Sequence, residues 1–214
     1  TLSILVYHGL SRRRTVLWTF DGSLHSSAAD EKLLQMRPFK IEGRFKFGLV
    51  PDLNRSLGID GNLIGFTDSE IAVPHFCYPV NATAIGFEGC ILYCFLPECG
   101  EMVFASTPES CAETYVYPLA ERFEDFMRLV ITCGSANPVE QIVWMSRAQF
   151  DQHLQNERAL RTAEQIARIG KLREELKLSP MDNPYEYVKA SQTHFDGSQI
   201  PYSDAYYDIL GQER

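Results

Sequence analysis

The chain has 214 residues, 45% of them hydrophobic and 22% charged, with six cysteines and a formal net charge of -8. That balance excludes a disordered chain and leaves room for one substantial core plus an appendage. Six cysteines at this length are too few for a disulfide scaffold, and the acidic balance argues against nucleic-acid binding, which uses a broad basic stripe.

No run of about 18 apolar residues is present to cross a bilayer. The opening residues Thr1–Arg14 lack the basic, apolar, then small layout of a secretory signal, so neither membrane contact nor export is expected and a cytoplasmic address is. In a reducing compartment Cys77, Cys90, Cys94, Cys99, Cys111 and Cys133, most of them inside apolar runs, read as small buried hydrophobes. The charge is unevenly spread. Residues 1–59 carry 9 basic and 5 acidic side chains, residues 60–135 carry 2 and 11, and residues 136–214 carry 9 and 12. The acid is concentrated in the middle, a field that repels phosphate and favours a basic partner.

Along the chain, Ser3–Tyr7 and Thr15–Phe20 read as short strands, the second closed by the Asp21-Gly22 turn signal. Phe39–Leu49 alternates apolar and charged residues, as a strand with one wet face does, and Gly43 interrupts it as a bulge or bend. Thr83–Phe87, Cys90–Leu96 and Glu101–Ser106 are apolar runs separated by Glu88-Gly89 and by Pro97–Gly100, the punctuation of an antiparallel meander. A helix is predicted next, with Pro118 in its first turn, Leu119, Phe123, Phe126, Met127, Val130 and Ile131 on one face, and Gly134 as its left-handed cap.

Ser146 and Gln149 match a capping box that opens a long helix to about Leu178, supported by Glu157–Arg161 and Glu164–Arg168 at (i, i+4). Ser179-Pro180 ends it, and Asp182-Asn183-Pro184 opens a further helix over Pro184–Phe195. The tail is dense in rings (Tyr185, Tyr187, Tyr202, Tyr206, Tyr207) and is expected to pack along the domain. The predicted fold is α+β: an antiparallel meander covered by a helix over residues 1–145, then a helical extension with a tyrosine-rich tail over 146–214.

Few residue patterns carry chemistry. His75, Cys77, Cys90, Cys94 and Cys99 lie within zinc-ligand spacing, but no Cys-x2-Cys knuckle occurs and a strand sets Cys90 and Cys94 two pleats apart. No local signature joins any cysteine to His8, His25, His75, His153 or His194 as a nucleophilic pair. No phosphate-binding or dinucleotide-binding glycine loop is present, and Arg12-Arg13-Arg14 reads as a charged turn. Catalytic residues, cofactors and metal ligands are therefore not expected.

Ile85–Gly134 resembles the SUKH superfamily, the Smi/Knr-type immunity proteins of bacterial toxin systems. Three segments carry the resemblance: the hairpin Gly86–Tyr93, the strand Gly100–Ser106, and the helix entry Leu119–Phe126 with its Ala-x-x-Phe-x-x-Phe pattern. The strands before it and the long helix after it are additions to that pattern. The resemblance implies a non-catalytic protein that binds and blocks a basic toxin, and the acidic middle third suits such a partner. The expected contacts are Glu88, Glu98, Glu101, Glu109 and Glu113 with the rings Phe87, Tyr93 and Tyr115. Two other readings stand beside it: a thiol- or zinc-dependent enzyme, and a scaffold that forms a homodimer through the long C-terminal helix.

Overall fold

Two tight turns build the sheet. Gly89 and Gly100 both sit at φ +60°, a conformation that costs a residue with a Cβ, and each closes a hairpin. Strands β1 (Thr83–Glu88), β2 (Ile91–Phe95), β3 (Val103–Ser106) and β4 (Val116–Ala120) run in the order β1-β2-β3-β4, antiparallel throughout. The structure is a computed structural model and describes residues 75–110 and 114–213. The strands predicted before residue 50, together with Cys111 and Glu113, lie outside the described residues.

A bulge sets the facing of β1. Ala84 pairs with Cys94 and Gly86 with Tyr93, which leaves Ile85 as the extra residue. The strand changes parity there, so Phe87 points to the same face as Ala84 and away from Ile85. Beyond the bulge Tyr93, Val103, Ala105 and Tyr117 face one way and Leu92, Cys94, Phe104 and Val116 the other, until a second irregularity in β4, where Val103 pairs with Ala120 and Phe104 with Pro118, puts Leu119 and Ala120 in the same cluster.

Both faces are covered, which goes beyond the single covering helix read from sequence. Helix α1 (Phe123–Cys133) lies on the first face with Phe123, Phe126, Met127 and Val130. Cys77, Tyr78, Ile200 and Tyr206 close the second, with Phe195 edge-on to Phe104 at 4.9 Å between ring centres. Burying side chains of this size contributes roughly 1.5–3 kcal/mol each before ordering entropy.

The predicted start of α1 needs correction. Pro118 and Leu119 belong to β4, and the helix begins five residues after Pro118, at Phe123. Leu119 fits both periods, lying four residues before Phe123 and two after Tyr117, and so masked the strand. Pro118 pairs with Phe104 and supplies no N–H, a loss that the outermost of the described strands tolerates. Gly134 caps the helix as predicted, at φ 90° with its N–H on the Val130 carbonyl at 2.7 Å.

The long helix is also two. After the predicted Ser146/Gln149 capping box, α3 (Arg147–Leu160) stops at Arg161, and a second box, Thr162 with Gln165, opens α4 (Ala163–Leu176). Arg161 turns extended (φ -63°, ψ 133°), and its guanidinium donates to the Cys133 carbonyl and lies over Gly134. The predicted Glu157–Arg161 spacing thus straddles a break, whereas Glu164–Arg168 is formed at 3.6 Å.

Short helix α2 (Asn137–Gln141) links α1 to α3, and α5 (Pro184–His194) packs on β4. A 3-10 turn (Gly197–Gln199) leads to α6 (Asp204–Leu210). The residues after Met145 join both apolar clusters, through Leu172, Leu176 and Val188 on one side of the sheet and Ile200 and Tyr206 on the other.

Gly134→Ala places a methyl group against Arg161 and holds alanine at positive φ, so the variant should lose roughly 1–2 kcal/mol or more of unfolding free energy. Urea denaturation measures this, and a change within about 0.5 kcal/mol would show that the cap is dispensable.

Candidate functional site

In a four-stranded meander the β1–β2 turn and the β3–β4 connection share one end of the sheet, and the β2–β3 turn takes the other. Glu88 and Glu109 therefore stand at one end, while Glu98 and Glu101 stand at the other, roughly 17 Å away at about 3.4 Å per residue of β2. Phe87 and Tyr93 are both 0% exposed and on opposite faces of the sheet. Tyr115 is half-buried, edge-on to Phe76 at 5.1 Å between ring centres. The eight residues expected as one contact surface are thus separated, with two serving as core and Glu113 outside the described residues.

The Glu88 end contains a residue that the sequence reading missed. Glu140, on α2, is 0% exposed and its carboxylate is held by three donors: Tyr117 Oη at 2.7 Å and Thr107 Oγ1 at 2.8 Å on Oε1, and Gln141 Nε2 at 2.9 Å on Oε2. Two donors come from the sheet side and one from the helix, so the carboxylate pins α2 to β4 and to the end of β3. Nothing local marks this acid in sequence, because a glutamate in the first turn of a short helix ordinarily reads as a solvated position.

Glu88 lies close by. Tyr93 Oη donates to its Oε2 at 3.2 Å, and the backbone N–H of Asn137 at the start of α2 donates to the same carboxylate. Glu88 is pushed up to about 7, chiefly by burial and also by the charges of Glu140 and Glu157, against the opposing hydrogen bonds from Tyr93 and Asn137. Glu140 is raised as well, again by burial, against its three hydrogen bonds. Glu109 belongs to this end, where its charge helps burial to raise the Cys90 thiol.

A second buried acid shows what is different here. Asp125 on α1 is 5% exposed and receives Arg122 at 3.0 Å, Arg128 at 3.2 Å and the Tyr187 hydroxyl at 3.1 Å. Asp125 is matched by two guanidiniums. Glu140 is matched by neutral donors, and among the described residues no lysine or arginine forms an ion pair with Glu88, Glu109, Glu140 or Glu157.

The thiols sit in the opposite of a nucleophile's environment. Cys77, Cys94 and Cys133 are buried, Cys90 and Cys99 are half-buried, and all five are free and shifted upward by burial. Cys133 reaches about 12 even with Arg158 and Arg161 pulling it down. Reactive cysteines need the reverse, a lowered value in a positive surrounding. His75 is spent on an edge-on contact with Tyr78 at 5.2 Å, and among the described residues no group of three or more His, Cys, Asp or Glu could hold a metal ion.

No helix among the described residues is long and apolar enough to cross a membrane. Comparisons with protein-family models, with curated proteins and with solved structures returned no match.

Two outcomes follow from these surroundings. With its folded value raised above 4.5, Glu88 binds more protons in the native state than in the unfolded chain, so its share of stability is present below pH 4.5 and lost as pH rises through about 7. Glu88→Gln should therefore be more stable than the parent above pH 7 and lose that advantage below 4.5, read by denaturant melts; parallel pH profiles would contradict the shift. Under native conditions a thiol reagent should modify Cys90 and Cys99 slowly and reach Cys77, Cys94 and Cys133 only on unfolding. A burst of labelling at a single buried cysteine would revive the thiol-enzyme reading.

Proposed function

We propose that the chain is a non-catalytic protein-binding module whose Glu88 end of the sheet receives a basic protein, as an immunity protein receives a basic toxin. One observation carries the reading: Glu88 lies in the field of buried Glu140 and of Glu157, Glu109 stands at the same end of the sheet, and no lysine or arginine among the described residues forms an ion pair with any of them, although the charge of Glu157 reaches Arg161. A lysine or arginine from a partner would supply the missing charge, and its field would restore the ionised form of Glu88.

The net charge of -8 speeds encounter with a basic surface and repels acidic competitors. The hydrogen bonds around Glu140 hold the docking end rigid, which limits the ordering cost of association. The SUKH resemblance of Ile85–Gly134 points to the same class of activity, exercised in the cytoplasm. The docking region is narrower than the sequence suggested, since Glu98 and Glu101 occupy the far end of the sheet.

The test is capture of a basic protein from the source cell at low salt, with quantitative binding to three variants. Glu109→Lys and Glu157→Lys should each weaken binding by about 1 kcal/mol, roughly fivefold, and Glu98→Lys should leave it unchanged. Binding should also fall as salt rises. Equal loss from Glu98→Lys, or an affinity indifferent to salt, would remove this end of the sheet as the docking site.

A further inference from the structure

Helix α4 has two apolar stripes, and the described fold buries one. Successive helical residues turn by about 100°, which sets Ile169, Leu172 and Leu176 on the inner side, with Leu172 and Leu176 fully buried. Ala163, Ala167 and Gly170 fall on the outer side together with exposed Glu174, and Ile166 lies between them and Ile169. Ile166 is 58% exposed there, and Leu160, just before the helix, is 77% exposed. These are two of the four large exposed hydrophobic residues among those described, and they flank the same elbow between α3 and α4.

Gly170 gives an independent sign. A glycine inside a helix costs about 1 kcal/mol relative to alanine, and a Cβ placed at this position would meet nothing within 4 Å. Packing within the described chain therefore does not require glycine here, whereas the close approach of a second helix does.

Charge around the stripe identifies the occupant. Glu164 and Lys171 stand seven residues apart, about two turns, on the same flank of the outer face, with opposite signs. A second copy laid antiparallel across Ala167 sets Glu164 of each chain opposite Lys171 of the other. Parallel pairing on a two-fold axis would carry that flank to opposite sides of the two helices and leave Glu164 and Lys171 apart. The face is thus self-complementary in the sense a two-fold axis demands.

We propose that the outer face of α4, centred on Ala167 and Gly170, pairs with the same face of a second copy in antiparallel orientation. Glu164 also touches Arg168 at 3.6 Å within its own chain, yet it is 65% exposed and free to reach across the axis. One helix of four turns offers less area than the roughly 1,200–2,000 Å² of standard stable interfaces, so the dimer forms and dissociates with concentration.

Sedimentation velocity on the full chain, over a series from micromolar to millimolar, tests this. The mass should climb from one chain toward two, and Ile166→Asp, whose helicity and melting show that it folds, should remain monomeric. Glu164→Lys and Lys171→Glu should each weaken pairing about fivefold, and the two together should restore it, because opposite signs again face each other. A monomer at every concentration, a dimer indifferent to Ile166→Asp, or a double swap that fails to restore pairing would each overturn the proposal. Glu109→Lys, which tests the docking end, should leave self-association unchanged, so the two readings fail separately.

Discussion

The described fold depends on how it disposes of one buried carboxylate. Glu140 lies beneath the sheet end with no exposed surface, where an unsatisfied charge would cost several kcal/mol. Tyr117, Thr107 and Gln141 satisfy it, and in doing so fix α2 against β4 and the end of β3. The same short helix begins at Asn137, whose backbone N–H reaches Glu88 at the end of β1. One carboxylate thus sets the distance between the outer strands and the helical layer, and it determines that a second, Glu88, lives in a field of like charge.

The contrast with Asp125 gives that arrangement its meaning. Where the chain uses a buried acid for architecture alone, it brings two arginines and a tyrosine to it. To Glu140 it brings only neutral donors, and Glu88 beside it feels the like charges of Glu140 and Glu157. Buried charge without a countercharge is unfavourable in isolation and becomes useful when the countercharge arrives on another molecule. The α4 elbow shows the apolar version of the same logic, with large side chains and a glycine that find no use within the described chain.

Much of the fold was legible because it rests on local signals. Gly89, Gly100 and Gly134 mark turns and a cap through backbone geometry, and the Ser146/Gln149 box appears in the structure at the predicted place. The errors arose where two periods overlap: Leu119 fits strand and helix alike, and the apolar stripe running from Leu154 to Leu176 concealed the Thr162/Gln165 box that splits the helix. The candidate site was less legible. Phe87 and Tyr93 were read as surface beside acids, but a β-bulge and two covering layers put both in the core, on opposite faces. The separation of Glu88 from Glu98 follows from strand pairing, and the burial of Glu140 from packing between elements distant in sequence. Neither can be read from a charge sum.

The most direct measurement is carboxyl-carbon NMR of the glutamates, free and with the basic protein recovered at low salt. In the free protein Glu88 should titrate near 7, and saturation with the partner should lower that midpoint and shift the Glu88 and Glu109 resonances while leaving Glu98 in place. A Glu88 midpoint of about 4.5 in the free protein, or partner-induced shifts confined to Glu98 and Glu101, would contradict the account.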